Sequence, residues 1–411
     1  MTLRCIRAAG LTALLALAPL VANAFETVDT LPWPSTGRFP AYEGEGLRPW
    51  SINAYGGAQY DSNVLRTQGG ETSDLITRLG VGGSYGARVV GRQSVLLDGY
   101  GEYRKYDKLD QFDHWAYAAR GAWLWELGNQ LSGIARVGRV HRLADLGEGS
   151  GTEADLITTD SFDVTGAYRF HPEFRLTGGV GTNRIKHDGR EIDVTRNYGW
   201  RTGLEYLSGL GNTLGVEYRH TEGDAAVDDE FIGLFPNNDY DQDEVAITLF
   251  YALSAQLRVR GRLGHTERTY TQISSANFSG TTGRGAIEWL PGAKTMFTLE
   301  AFREPDPVLD ATALYIDRRG LAFGVAWAVT YKVVLSARAT QERRIYRGDP
   351  LVITGLPQRD ETVHLLSFGF GWEFQRHWQL ASSIDYGTRD SNLLGRDYDY
   401  TAVTANLRWQ F

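Results

Sequence analysis

The last segment of the chain alternates with a period of two. Val403, Ala405, Leu407, Trp409 and Phe411 fall on one face, and Thr404, Asn406, Arg408 and Gln410 on the other. Successive side chains of a strand point to opposite faces, so this stretch reads as a strand with one apolar and one polar surface. The pattern recurs upstream. Trp115, Tyr117, Ala119, Gly121, Trp123 and Trp125 alternate with Ala116, Ala118, Arg120, Ala122, Leu124 and Glu126. Leu257, Val259, Gly261 and Leu263 alternate with Arg258, Arg260 and Arg262, and Phe368, Phe370, Trp372 and Phe374 with Ser367, Gly369, Gly371 and Glu373. A sustained 3.6-residue apolar stripe is missing from Trp50 onward, so almost no helix is expected there.

The connections between these segments alternate in length. Short breaks of turn chemistry stand at Gly128-Asn129, His171-Pro172, Ser208 to Gly211, Pro291-Gly292 and Gln375 to His377. Longer polar stretches lie between them, at Asp61 to Asp74, Asp145 to Ala154, Glu222 to Asp243, Glu304 to Ala311 and Asp349 to Asp360. The spacing predicts about eighteen strands, within a range of about 16–18, as an up-and-down meander with both termini on one side.

A soluble sandwich would also alternate, but it needs a dry core. Here the polar faces carry Arg, Glu, Asp and Asn, which a wet lumen accepts and a dry core does not. Aromatic residues near strand ends (Trp50, Tyr85, Tyr103, Trp125, Tyr168, Tyr206, Tyr251, Trp289, Trp327, Trp372 and Tyr386) suit interfacial girdles. The fold class is therefore all-β: a transmembrane antiparallel β-barrel over residues 50–411, with short periplasmic turns and longer extracellular loops. The mean hydropathy of −0.32 excludes a helical membrane protein only, because half of every strand faces water.

The N-terminal region is of another kind. Arg4 and Arg7, the apolar run from Leu11 to Ala18 and the small-residue site Ala22-Asn23-Ala24 form a cleavable signal peptide over residues 1–24. It holds Cys5, the one cysteine of the chain. Residues 25–49, with Pro32, Pro34, Pro40 and Pro49, are expected to be an irregular periplasmic lead, a candidate docking place for a partner from an export apparatus and more simply a disordered segment. Phe411, a final aromatic on an alternating strand, is the expected contact for the barrel assembly machinery. The location implied is the outer membrane, with its lipid as the surrounding partner.

Inside the barrel, the expected solute path is rich in arginine: Arg78, Arg120, Arg136, Arg201, Arg219, Arg258, Arg260, Arg262, Arg284, Arg338 and Arg408 all fall on inward faces. Inward acids such as Glu126, Glu205, Glu288 and Glu373 are expected near the periplasmic ends. A planar guanidinium fork binds carboxylates and phosphates, so the row suits an anionic solute, and it equally suits ion pairs that brace the wall. The acidic stretch with Asp228, Asp229, Glu230, Asp239, Asp241 and Asp243 is a weak candidate for Ca²⁺ and more simply a solvated loop; Phe231 to Phe235 within it could also fold inward as a plug. No cofactor is implied. The formal charge of −8 argues against nucleic acid as a partner, and neither HExxH nor G-x-S-x-G occurs, so no enzyme is expected.

The stretch Tyr60-Asp61-Ser62-Asn63-Val64-Leu65-Arg66, entering a loop just after the first strand, resembles the β-barrel porin family that includes EpsL-like proteins. That resemblance implies an outer-membrane barrel encoded with exopolysaccharide genes and serving polymer export. The expected function is thus an outer-membrane passage for an exopolysaccharide. The alternatives are a general or solute-selective diffusion porin and, from another class, a barrel-rim hydrolase.

Overall fold

The computed structural model describes residues 50–147, 154–188, 194–226, 239–271, 274–307, 313–348 and 357–411. The signal peptide and the lead over 25–49 lie outside the described residues. Eighteen strands follow one another: β1 (Trp50–Asp61), β2 (Asp74–Val90), β3 (Gln93–Tyr106), β4 (His114–Leu127), β5 (Leu131–Leu143), β6 (Leu156–His171), β7 (Phe174–His187), β8 (Val194–Leu207), β9 (Thr213–Ala226), β10 (Tyr240–Ala252), β11 (Leu257–Tyr270), β12 (Phe278–Trp289), β13 (Thr295–Pro307), β14 (Tyr315–Ala328), β15 (Val333–Arg347), β16 (Asp360–Gln375), β17 (Trp378–Ser391) and β18 (Tyr398–Gln410). Helix among the described residues is confined to two three-residue 3₁₀ turns, Asp110–Phe112 and Ser274–Ala276.

Each strand pairs antiparallel with its sequence neighbours, and β1 pairs with β18 from Asn53↔Gln410 to Asp61↔Ala402. The sheet is closed, and closure leaves no edge with unpaired backbone groups in the apolar layer. The period of two then sorts side chains between two environments. Leu79, Val81, Val137, Leu263, Ile247 and Phe368 are exposed on the outside, while Asn53, Glu102, Asn183 and Thr266 are buried on the inside.

A ring of aromatics follows the short turns. Trp50, Tyr85, Tyr168, Tyr206, Tyr251, Trp289, Trp327 and Trp372 all sit outward at the short-turn end. Tyr60, Trp115, Tyr198, Trp200 and Tyr386 face out towards the opposite end. The turn end is sealed by the terminus itself: Phe411 exchanges backbone hydrogen bonds with Ile52 and stacks on Trp50 at 5.8 Å between ring centroids.

Two expected loops are shorter than the sequence implied. Glu222 belongs to β9 and Asp241 and Asp243 to β10, and Glu304 to β13. The backbone ladder continues past the apolar band, where the outward positions turn polar and a hydropathy pattern stops marking the strand.

The Tyr60–Arg66 motif has a specific structural task. The Asn63 side chain is fully buried; its Nδ2 donates to Thr67 O and to Asp399 O, both at 3.0 Å, and its Oδ1 accepts from Thr67 N at 3.2 Å. Arg66, at φ 53°, forks onto both carboxylate oxygens of Asp61 at 2.8 Å and lies 3.5 Å over the Tyr400 ring. The motif therefore latches the first loop to β18, across the seam that closes the barrel.

Candidate functional site

The inner wall is a lattice of guanidiniums and carboxylates. Arg78 and Arg104, on β2 and β3, share Glu102 at 3.1 and 2.5 Å. Arg201 and Arg219 share Glu217 at 3.8 and 2.8 Å, and Arg318 and Arg344 share Glu342 at 2.7 and 2.5 Å. Arg262 and Arg284 share Glu304 at 3.7 and 3.0 Å, and Arg262 also pairs with Glu244. Arg359 and Arg389 share Glu361 at 2.6 and 4.0 Å. Two geometries produce these groups: residues two apart on one strand share a face, as Glu102 with Arg104, Glu217 with Arg219 and Glu342 with Arg344, and cross-strand register brings the second arginine within reach.

Of the expected path residues, Arg120 forks onto Asp98 at 2.7 and 3.0 Å, Arg136 reaches Asp163 at 3.3 Å and Arg338 reaches Glu300 at 2.8 Å. Arg408 is buried beside Tyr55, its register partner across the seam. Arg258 and Arg260 stand at the short-turn end, exposed, with Glu288 opposite Arg258 in register and 3.4 Å from Arg260. The acids are not confined to the periplasmic end as expected. Glu102, Asp163, Glu244, Glu304 and Glu342 are interleaved with the arginines at mid-height and above.

Sequence reasoning did not single out Arg104, Arg268, Arg318, Arg344 or Arg389. Each sits beyond the apolar half of its strand, but on the same parity as the inward residues below it. Carrying the alternation past the last apolar residue finds them. Arg268 is 2% exposed and is held by the Gln242 side chain at 2.9 Å, by Pro305 O at 3.0 Å and by the Tyr240 ring at 4.2 Å.

Two buried clusters stand at the long-loop end of the described residues. Val64, Ile76, Tyr106 and Phe112 form one buried cluster, on which Leu143 and Leu146 pack, and Tyr240, Tyr270, Phe278, Leu314 and Tyr315 form another. Gly147, in the connection after β5, accepts a hydrogen bond of 2.7 Å from Nη1 of the buried Arg389 on β17. In the strand order β5 and β17 stand six positions apart, so this connection reaches over the mouth of the barrel. The sequence placed an inward-folding segment at Phe231 to Phe235 instead, which lies outside the described residues.

An apolar exterior, two aromatic rings and a closed ladder suit a bilayer, and only helices and closed barrels cross one. The chain is an outer-membrane β-barrel. Residues 252–411 match the family model described as "Putative beta-barrel porin 2". No curated protein matches the sequence. Among solved structures, the barrel is similar to OpdK of Pseudomonas aeruginosa, crystallised with vanillate, at 10% identity and a TM-score of 0.48, covering 88% of this chain and 99% of that one. OccK5 (OpdH) of P. aeruginosa is similar at 11% identity and 0.46, covering 88% and 98%. A BenF-like porin from Pseudomonas fluorescens Pf-5 is similar at 10% and 0.48, covering 88% and 98%.

The acidic stretch of this outer-membrane barrel is divided. Asp228, Asp229 and Glu230 lie outside the described residues, and Asp239 precedes β10. Asp241 and Asp243 project from the outer wall, where Asp241 approaches His220 and Glu222 closely enough for the three to share an ion. Asp243 is instead engaged by His220 Nδ1 at 2.8 Å and by the Tyr218 hydroxyl at 2.5 Å. For the hydrolase alternative, the shortest His–acid contact among the described residues is His187 Nδ1 with Asp155 at 2.7 Å. The other nitrogen of that ring is buried without a hydrogen-bond partner, so no nucleophile is poised there.

Proposed function

We propose that this barrel is a passive diffusion pore selective for small anionic solutes. The observation that carries the reading is the stoichiometry of the wall. Around Glu102 two guanidiniums, Arg78 and Arg104, meet one carboxylate and so keep a net positive charge. Fixed charge of one sign within low-dielectric walls concentrates counter-ions along a path. The exposed Arg258 and Arg260 add to it at the periplasmic mouth. Many weak, wet contacts of this kind let an anion enter and leave. The match of residues 252–411 to a porin family model supports a pore.

Passage of an exopolysaccharide, expected from the Tyr60–Arg66 motif, gains no support of its own. The motif's side chains are engaged in the seam, and the connection after β5 reaches over the mouth. Reversal potentials across planar bilayers under a KCl gradient test the proposal. An anion-selective potential is expected, and a cation-selective one overturns it.

A further inference from the structure

The outer wall carries a groove of about 780 Å³ across β3 to β8. Its floor is small: Ala119 and Gly121 on β4 stand between Leu97 on one side and Val137 and Phe162 on the other. All five positions face outward, into the apolar layer. At the upper rim the lining changes character, to Arg139, Asp160, Arg184 and Arg196. These four occupy one row across β5, β6, β7 and β8, each the register partner of the next. Arg139 lies eight positions past Leu131, where β5 leaves its short turn. With about 3.3 Å per residue and a tilt of about 40°, that places Arg139 roughly 20 Å up the wall, and Arg184 and Arg196, ten and eleven positions from the short-turn ends of β7 and β8, roughly 25–28 Å up, at the top of an apolar band of about 25 Å.

The charges of the row do not balance locally. Asp160 is occupied by Arg139, which forks onto it at 2.5 and 2.8 Å. Arg184 and Arg196 then face each other directly across a strand pair, on the same outward face, with Asp224 the register partner of Arg196 on the far side. Like charges directly opposite destabilise a sheet unless an anion stands between them. Guanidinium forks match phosphate oxygens in pairs. The neighbouring wall of β9 to β11 presents Glu222, Asp241, Asp243 and Glu267 outward at similar height, and so repels what this row attracts.

We infer that this groove binds one phosphorylated glycolipid of the outer leaflet, of the lipid A class. An acyl chain lies along the Ala119–Gly121 floor, and a headgroup phosphate sits between Arg184 and Arg196. The site faces the membrane, so the inference is independent of what passes through the lumen.

Native mass spectrometry of the detergent-purified barrel tests it, with lipid A, phosphatidylglycerol and phosphatidylethanolamine supplied in turn. Lipid A is expected to be retained preferentially. The double variant Arg184→Ala/Arg196→Ala is expected to lose about tenfold or more of that retention, the effect of removing two basic contacts at a membrane surface. Ala119→Leu fills the floor without touching charge, and it is expected to weaken retention while leaving the folded band on an unheated gel intact. Equal retention of the three lipids, preference for phosphatidylglycerol, or unchanged lipid A retention in both variants overturns the inference.

Discussion

The upper and lower halves of the barrel interior are built on different principles. Above mid-height, Glu102, Arg268, Glu342 and Glu361 are almost wholly buried and firmly held: Glu102 by Arg78 and Arg104, Arg268 by Gln242 and Pro305 O, Glu342 by Arg318 and Arg344, and Glu361 by Arg359. Near the short turns, Arg92 and Glu126 pair at 3.4 Å with 62% and 52% of their side chains exposed. Buried pairs have lost their water and depend on one another, whereas exposed pairs exchange with solvent. The upper half thus holds shape, and the lower half carries a solvent-exposed ionic lining. The same residue type, arginine, serves both because burial decides its role.

Breaking a buried pair should have the largest effect. Glu342→Gln removes the buried carboxylate that Arg318 and Arg344 share, leaving Arg318 to Asp306, and a loss of about 3–5 kcal/mol is expected in denaturant titrations of the folded barrel. A change below about 1 kcal/mol would mean that the upper half is as wet as the lower.

Asn63→Ala comes next. It removes both ends of the latch on Thr67 and Asp399, so about 1–3 kcal/mol should be lost as those buried groups go unsatisfied. Protease cutting within residues 62–73 should accelerate in step, and an unchanged cutting rate would separate the motif from the seam.

Arg389→Ala releases Gly147 and the connection after β5 from β17. Single-channel conductance should rise, with little change in ion selectivity, because the variant opens the mouth more than it changes the path. A fall in conductance would place the connection outside the route.

Charge reversal at the periplasmic mouth, Arg258→Glu with Arg260→Glu, should change stability by no more than about 0.5 kcal/mol. It should nevertheless move the reversal potential towards cations. The smallest effect is expected from a double-mutant cycle on Arg260 and Glu288, where coupling of about 0.2–1 kcal/mol belongs to an exposed pair. Coupling several times larger would erase the distinction between the halves.

Much of this architecture is legible in the chain because a strand's parity is local. Val403 to Phe411 and Trp115 to Trp125 declare their faces within a dozen residues, and Gly128-Asn129 and Pro291-Gly292 declare their turns. Parity also assigns all eleven expected arginines to the inside. It fails only where the outward face becomes polar, which hid the upper thirds of β9 and β10 and likewise Arg268 on β11, Arg318 on β14 and Arg389 on β17. Face assignment says nothing about partners on other strands, so carboxylates such as Glu304 beside Arg284 and Glu300 near Arg338 were invisible: that pairing depends on register between strands.

The sequence by itself determined an all-β chain, the sidedness of its turns and the inward run of arginine, since each follows from the geometry of a single strand. Only the tertiary structure decided which charges neutralise one another, which connection covers the mouth and what the Tyr60–Arg66 motif does. Those depend on contacts such as Asn63 with Asp399 and Gly147 with Arg389, separated by 336 and 242 residues. They form only when the last strand meets the first and the sheet closes.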